Sequence, residues 1–328
     1  MNRFILHLGY PKTGTTYLQR KIFSQLIDSF IVITPESENC KVNIKRLMYA
    51  IHGGTVPEKT RNKFAGHNVL LSLEGLLLES MRNIRNGRFA PMSWLLALEG
   101  LQSFASDIAN EDFSIVLYLR QQDELLHSLY AESKTFHFSQ CTELDTLEKY
   151  VNAVIAEDQI SDSPGYHYDF NNTVDEIKKS FPNNNLHIRF FEDLERNPEE
   201  EIAFWSELCG QPLHLVTGKE NARRMGNDEK LADQNNWFRF TLLRFKNKYL
   251  PALKLPSKLS LVIKKVLSKT ATAEQESIMM TSIMRSRLRA KYSLVNARQP
   301  VGDLIPEHLR RDYLVPEIAE QSVRSNDH

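Results

Sequence analysis

The chain begins with an apolar run that passes through a short loop into a helical pattern. Residues 4–8 are apolar except for His7, which is typical of a buried strand, and Gly9 and Gly14 lie in the loop that follows. The helical pattern then places four apolar residues on one face: Tyr17, Leu18, Ile22 and Leu26. Because backbone N–H groups and the positive end of a helix dipole converge on such a loop, this order of elements predicts an anion-binding site.

Four further apolar runs have the length and composition of strands. They cover residues 30–33, 68–72, 113–119 and 186–191. Helical periodicity separates them, at residues 91–108, after Arg120, at residues 144–160 and after Pro198. Strands that alternate with helices predict an α/β fold, in which a P-loop-type parallel sheet is flanked by helices on both faces.

Two stretches lack this alternation. Residues 161–172 are rich in Asp, Ser, Pro, Gly and Asn, which predicts a loop. From about residue 221 onward the sequence has helical periodicity and no strand pattern, which predicts a mainly helical C-terminal extension. We therefore expect an α/β core over residues 1–220 and a helical part over residues 221–328, packed on the same domain.

The composition narrows the class of protein. The 328 residues are 41% hydrophobic, which is enough for a sizeable core, and the formal net charge of zero favours neither nucleic acid nor a membrane as partner. Three scattered cysteines, Cys40, Cys141 and Cys209, have neither metal-ligand spacing nor the pattern of a disulfide framework. No apolar run reaches membrane-spanning length, and the chain starts directly with a strand rather than a signal peptide. We expect a cytoplasmic protein that binds no nucleic acid.

The first loop carries the chemistry for binding phosphate. Lys12 supplies a mobile charge, and Thr15 and Thr16 supply hydroxyl donors at the first helical turn. The pattern is close to the nucleoside-triphosphate loop G-x-x-x-x-G-K-[ST], but Thr15 occupies the lysine position and the lysine lies inside the loop. Here the sequence resembles the sulfotransferases that use 3′-phosphoadenosine 5′-phosphosulfate (PAPS), whose 5′-phosphosulfate loop reads P-K-[ST]-G-T-T.

This resemblance implies that PAPS is the cosubstrate and that no metal takes part. It assigns donor binding to the loop and the residue after it: Pro11, Lys12, Thr13, Gly14, Thr15, Thr16 and Tyr17. The alternative for these residues is a glycine turn that binds nothing.

A second phosphate site is predicted where the strand at residues 113–119 ends in Arg120. Magnesium-dependent P-loop enzymes usually carry an aspartate at the end of a later strand. An arginine cannot hold Mg²⁺, but it can pair with a phosphate in the crevice at the carboxyl ends of parallel strands. Arg120, Ser128 and Tyr130 also resemble the family's 3′-phosphate motif, in which a serine follows the arginine by eight residues. The alternative is a surface arginine and a serine on a helix face.

Two weaker similarities lie further along the chain. Residues 188–198 resemble the family's strand and Y-E-D-L-x-x-x-P turn, with Phe191 in the tyrosine position, although Asp193 and Asn197 could equally cap turns and helix starts. Arg223 and Arg224 resemble the R-K-G segment that completes the 3′-phosphate site in cytosolic members.

Sulfuryl transfer also needs charge neutralisation and a general base. Lys12 is the residue expected to neutralise charge on the bridging oxygen. When residues 69–75 are aligned with the K-T-H-L-P segment of cytosolic sulfotransferases, Glu74 falls on the histidine base and Ser72 on the lysine. Glu74 could instead be an acidic residue in the first turn of a helix, complementing its dipole. His7 lies inside the first strand and is expected to be a core or supporting histidine.

Residues 237–270 contain nine lysines and arginines and no acidic residue. They form either a solvated helical face or a surface for peripheral contact with an anionic acceptor or membrane. We expect a PAPS-dependent sulfotransferase that acts on a hydroxyl of a carbohydrate, a glycolipid or a small metabolite. The alternatives are a P-loop kinase or nucleotide hydrolase, and a catalytically silent nucleotide-binding protein of the same fold.

Overall fold

The computed structural model describes residues 2–10, 12–34, 44–72, 94–106, 112–140, 146–156, 168–182, 185–216 and 280–314. Within these ranges, every helix is too short or too polar to span a bilayer.

Five strands form one sheet in which every neighbouring pair is parallel. They are β1 (Arg3–Gly9), β2 (Ile31–Ile33), β3 (Val69–Ser72), β4 (Asp112–Leu119) and β5 (Asn185–Phe190). Their order across the sheet is β2-β3-β1-β4-β5, so β1 lies in the middle. The five predicted strands and their parallel arrangement are confirmed.

Helices follow each of these strands. The helices of the described residues are α1 (Thr15–Tyr17), α2 (Ile44–His52), α3 (Glu58–Arg61), α4 (Trp94–Ser106), α5 (Gln122–Gln140), α6 (Leu147–Ala156), α7 (Phe170–Ser180), α8 (Phe191–Arg196), α9 (Pro198–Cys209), α10 (Ser282–Asn296), α11 (Val301–Leu304) and α12 (Arg310–Tyr313). A π-helical turn (Leu18–Ile22) and a 3-10 turn (Phe23–Leu26) continue α1, and a 3-10 turn (Glu307–Leu309) precedes α12.

The sheet separates two hydrophobic cores, because successive residues of a strand point to opposite faces. From β1, Phe4 and Leu6 enter the core on one side, together with side chains of α4 to α7 and α10. Ile5 enters the other, which contains Leu18 after α1 and Trp205 of α9. The predicted P-loop-type α/β architecture is therefore confirmed.

The segment after the first loop is helical but not a regular α-helix. Its predicted apolar face is largely confirmed, since Leu18, Ile22 and Leu26 are buried, whereas Tyr17 is half-buried. The π turn and the 3-10 turn change the local period while keeping these side chains on the core.

The predicted loop at residues 161–172 is wrong at its end, because Phe170 already begins α7. The Asp169 side chain accepts hydrogen bonds from the backbone N–H groups of Asn171 and Asn172, at 3.0 and 3.2 Å. Asp169, one of the polar residues that suggested a loop, thus acts as a helix cap, and buried Phe170 and Val174 hold the helix against the core.

The strand predicted over residues 186–191 ends one residue early, and the turn predicted after it is wrong. The strand ends at Phe190 and the next six residues form α8, where a loop was expected. Leu194 of this short helix is 7% exposed and packs in the second core, so burial of one side chain stabilises a helix too short to persist alone.

The described C-terminal residues are mainly helical, as predicted, and α10 packs against the start of α5. Arg285 Nη1 and Arg289 Nε both lie within 2.9 Å of Asp123 Oδ2, and Asp123 is 1% exposed. Cys209 is buried as a free thiol, and burial raises its pKa to about 12. The predicted boundary at residues 220 and 221, like Cys40 and Cys141, lies outside the described residues.

Candidate active site

The loop between β1 and α1 has an unusual backbone. Lys12 has φ of 72° and Gly14 has φ of 78°, so both residues are in the left-handed region. This is rare for a lysine. Successive backbone N–H groups in turns that contain left-handed residues can form a concave surface that binds an anion. A Cβ atom on Gly14 would lie 2.4 Å from Leu194 Cδ2, which shows that α8 packs directly on the loop.

The threonines of the loop divide into two kinds. Thr13 and Thr15 are buried, and the Thr13 hydroxyl donates to the carbonyl of Tyr10 at 2.5 Å. A Cβ atom on Gly9 would lie 2.5 Å from Thr15 Oγ1. These two hydroxyls therefore support the loop from inside, whereas Thr16 is half-buried at the first turn of α1. Pro11 lies outside the described residues.

The Tyr17 side chain connects α1 to the segment that follows α9. Its hydroxyl donates to the carbonyl oxygen of Val216 at 3.2 Å. The side chain is half-buried, and burial raises the pKa of Tyr17.

Arg120 reaches the same loop from the end of β4. Its Nη1 donates to the carbonyl oxygen of Lys12 at 2.8 Å, and its guanidinium lies 4.6 Å from the centre of the Phe191 ring. Its Nη2 is 3.9 Å from Glu124 Oε2. The structure thus brings one residue of each of the three sequence motifs, Lys12, Arg120 and Phe191, together at one edge of the sheet.

The other two residues of the Arg120 motif lie further along α5. Ser128 is half-buried, about two turns after Arg120. Tyr130 is 2% exposed, and its ring centre is 5.4 Å from that of Tyr150. Tyr130 therefore belongs to the core.

Glu192 of α8 lies between two donors from distant parts of the chain. Its Oε1 accepts from the backbone N–H of Gln121 at 2.9 Å, and its Oε2 accepts from the Tyr313 hydroxyl at 2.8 Å. Burial raises the pKa of the Glu192 carboxyl. Tyr313 is not among the residues predicted from the sequence, because no local pattern marks a contact across 121 residues.

A polar cluster lies under the loop at the end of β3. His7 Nδ1 and Ser72 Oγ are 2.7 Å apart, and the Gln19 side-chain amide donates to both Ser72 Oγ and the Ser72 carbonyl at 3.0 Å. The His7 ring is fully buried and meets the Trp205 ring edge-on, so burial lowers its pKa to about 3. His7 is thus a core residue, and Gln19 is a site neighbour that the sequence did not reveal.

Several predicted site residues lie outside the described residues: Glu74, Arg223, Arg224 and the basic stretch at residues 237–270. The chain leaves β3 at Ser72, two residues before Glu74, at the same sheet edge as the loop. Among the described residues, no cluster of three or more His, Cys, Asp or Glu side chains is arranged to hold a metal ion.

A family model described as "Sulfotransferase domain" matches residues 3–241. The chain therefore belongs to the sulfotransferase domain family, and this membership supports sulfotransfer as its kind of activity.

Two solved structures illustrate the similarity. A sulfotransferase from Alicyclobacillus acidocaldarius is 14% identical with a TM-score of 0.40, over 76% of this chain and 95% of that chain. Mouse sulfotransferase SULT7A1, complexed with PAP, is 11% identical with a TM-score of 0.38, over 92% of this chain and 87% of that chain. No curated protein matches the chain in sequence.

Proposed function

We propose that this protein transfers the sulfuryl group of PAPS to a hydroxyl of a carbohydrate, a glycolipid or a small metabolite. The observation that carries the proposal is the hydrogen bond from Arg120 to the carbonyl of Lys12. The two residues that it joins belong to the motif expected for the 3′-phosphate and to the loop expected for the 5′-phosphosulfate. A nucleotide with anionic groups at both ends of its ribose fits two adjoining cationic sites.

The residues present fit such a donor. The left-handed backbone at Lys12 and Gly14 suits a loop that binds an anion through N–H groups, and Thr16 adds a half-buried hydroxyl at the helix start. Arg120, with Ser128 on the following helix, would bind the 3′-phosphate. Arg223 and Arg224 would complete that site from the part of the chain that follows.

The reaction breaks the bond between sulfur and the bridging oxygen of the donor and forms a bond between sulfur and the acceptor oxygen. Lys12 would neutralise the negative charge that grows on the bridging oxygen. Glu74 would take the proton of the acceptor hydroxyl as general base. The products are the sulfated acceptor and adenosine 3′,5′-bisphosphate.

The position of β3 supports the assignment of Glu74. Ser72 is held to α1 and its continuation through the Gln19 amide, so the chain leaves the strand close to the loop. A carboxylate two residues later is within reach of the same sheet edge. Ser72, in the position of the lysine of cytosolic members, supplies no positive charge, and its hydrogen bonds with His7 and Gln19 support a structural role.

Calorimetric titration tests the class of donor. We expect adenosine 3′,5′-bisphosphate to bind equally well with and without Mg²⁺, and more tightly than ATP. Transfer of ³⁵S from labelled PAPS to a panel of hydroxylated acceptors then separates an active enzyme from a silent nucleotide-binding protein. Magnesium-dependent ATP binding without bisphosphate binding would favour the kinase or hydrolase alternative instead.

Two substitutions test the catalytic roles. Lys12→Ala is expected to lower kcat by about 10²–10³-fold, because it removes charge stabilisation in the transition state. Glu74→Gln is expected to lower kcat by about 10²–10⁴-fold with little change in the Kd of adenosine 3′,5′-bisphosphate. Glu79→Gln changes a glutamate five residues further along the chain that has no assigned role, and it is the matched control. Near-normal turnover of Glu74→Gln would refute the base assignment while leaving the class of enzyme intact.

The basic stretch at residues 237–270 suggests that an anionic acceptor or lipid surface is attracted to this part of the protein. Sedimentation with vesicles that contain anionic lipid, compared with neutral vesicles, tests the lipid form of this proposal. Reversal of charge at Lys264 and Lys265 should abolish any such binding.

A further inference from the structure

We propose that Tyr313 and Glu192 position Arg120 for the 3′-phosphate of the donor. This would make the C-terminal segment around α12 a working part of the donor site. The inference rests on the proposed function, since it concerns how the same site recognises PAPS. Neither residue is predicted to touch the donor, so both are positioning residues.

The Glu192 carboxylate connects the C-terminal segment to the turn that carries Arg120. One oxygen accepts from the backbone N–H of Gln121, which is joined to Arg120 by a peptide bond, at 2.9 Å. The other accepts from the Tyr313 hydroxyl at 2.8 Å. An ionised carboxylate can only accept hydrogen bonds. Here each of its two oxygens accepts from a different donor, and the two bonds together hold the Glu192 side chain in one orientation.

Tyr313 is itself held firmly. It is 3% exposed, and its ring meets the Phe190 ring edge-on with 5.2 Å between centres. On the other side of the turn, the Gln121 side-chain amide donates to the carbonyl of Asp312. The Asp312 carboxylate pairs with Arg196 at 2.8 Å, so the C-terminal segment contacts both the Arg120 turn and α8.

These contacts act on Arg120 from two sides. The carboxylate of Glu192 fixes the backbone that follows Arg120, and the residue before Glu192 is Phe191, on whose ring the guanidinium rests. The guanidinium thus keeps one side on Phe191 and one N–H on the Lys12 carbonyl. Loss of the Tyr313 hydroxyl would free one oxygen of the carboxylate and loosen both supports.

The test compares two nucleotides that differ only in the 3′-phosphate, adenosine 3′,5′-bisphosphate and adenosine 5′-phosphate. Tyr313→Phe removes one hydroxyl and keeps the ring. We expect calorimetry to show about a tenfold weaker Kd for the bisphosphate, because a hydrogen bond to a charged group is lost. The Kd for adenosine 5′-phosphate should change by less than about twofold. A purely structural role would weaken both nucleotides equally, and that result would overturn the proposal.

Four further variants sharpen the test. Tyr150→Phe also removes a buried tyrosine hydroxyl, one that lies 3.0 Å from the Tyr168 hydroxyl, and should leave discrimination unchanged. In a protein that already carries Arg120→Ala, Tyr313→Phe should not change the preference for the bisphosphate over adenosine 5′-phosphate any further. If the two substitutions reduce that preference additively, the proposal is contradicted. Glu192→Gln should retain most of the preference for the bisphosphate, because the glutamine amide can still accept a hydrogen bond from Gln121 and donate one to the Tyr313 oxygen. Glu192→Ala should lose this preference.

Failure of this inference is distinguishable from failure of the proposed function. If the unmodified protein does not prefer the bisphosphate, the proposed donor is wrong. If it does prefer the bisphosphate and Tyr313→Phe keeps that preference in full, only the positioning role is wrong. Should Tyr313→Phe fail to fold, the comparison of Glu192→Gln with Glu192→Ala decides the same question.

Discussion

Close packing restricts individual residues in the loop between β1 and α1. Gly14 combines a left-handed backbone with direct contact to α8, whereas Gly66 has a left-handed backbone with nothing within 4 Å of the position of a Cβ atom. The two glycines therefore separate the effect of backbone strain from the effect of close packing.

Gly14→Ala should destabilise the protein more than Gly66→Ala. The strain of a left-handed alanine costs about 1–2 kcal/mol at either site, and overpacking against Leu194 should add about 1–3 kcal/mol at Gly14 alone. Urea unfolding at neutral pH measures both values. Equal losses would show that Leu194 yields freely to the added methyl group.

His7 gives the protein a defined response to acid. The folded state holds the imidazole neutral, with its pKa lowered to about 3, whereas an unfolded histidine has a pKa near 6.5. Above pH 6.5 the imidazole is neutral in both states, so this group does not change the free energy of unfolding. As the pH falls from 6.5 toward 3, His7 binds a proton in the unfolded state but not in the folded state, and the free energy of unfolding decreases.

Between pH 7 and pH 5 the loss in the free energy of unfolding from this one group should be about 2 kcal/mol. His7→Gln removes the titration while keeping a polar group near Ser72. We expect urea unfolding to show that the unmodified protein loses about 2 kcal/mol more than the variant over this range. Parallel pH profiles would mean that His7 becomes protonated in the folded state.

At the scale of elements, the site is a junction of three segments that end at one sheet edge. The loop after β1, the turn after β4 and α8 after β5 meet around the Arg120 guanidinium. This follows from parallel strand order, because the carboxyl ends of adjacent parallel strands lie together.

Arg120→Ala should chiefly weaken donor binding. Loss of a charged partner for the 3′-phosphate, together with loss of the bond to the Lys12 carbonyl, should raise the Kd of adenosine 3′,5′-bisphosphate by about 10–100-fold. Arg120→Lys should recover only part of this, because lysine cannot bind bidentately. Lys179→Ala, which breaks an exposed ion pair with Glu176, is the charge-matched control. If Arg120→Ala leaves the Kd of adenosine 3′,5′-bisphosphate unchanged, Arg120 does not contribute to binding the nucleotide.

At the scale of the whole molecule, the C-terminal helices pack on the core through buried apolar side chains, such as Leu288 and Tyr292 of α10, and are joined to α5 by charged contacts as well. Asp123 lies in the first turn of α5, where a negative charge complements the helix dipole, and both Arg285 and Arg289 of α10 reach it. This contact helps place α12 and Tyr313 beside α8.

Asp123→Ala should destabilise the protein by about 2 kcal/mol, because it leaves two partly exposed arginines without their shared carboxylate. Hydrogen exchange should increase in α10 before it increases in β1. Glu176→Ala, which breaks an exposed pair, should cost less than about 1 kcal/mol. If exchange in α10 does not change, Asp123 is not what holds that helix.

The sequence by itself determined the features that depend on neighbouring residues. The alternation of apolar runs predicted five strands, and the pattern from Phe4 to Thr16 predicted a strand, a glycine-containing loop and a helix start, because strand burial and loop conformation are encoded over a few residues. It misplaced the boundaries near Phe170 and Phe191, where capping and the burial of one side chain outweigh local propensity.

Only the tertiary structure decided which distant residues meet. The Arg120 guanidinium on the Lys12 carbonyl joins residues 108 apart, and the Tyr313 hydroxyl on Glu192 joins residues 121 apart. Such contacts leave no periodic signal, since each partner satisfies its own local pattern whether or not the other is near. They form because packing of the sheet and helices brings the polar groups together and buries them, and burial makes a missing partner costly.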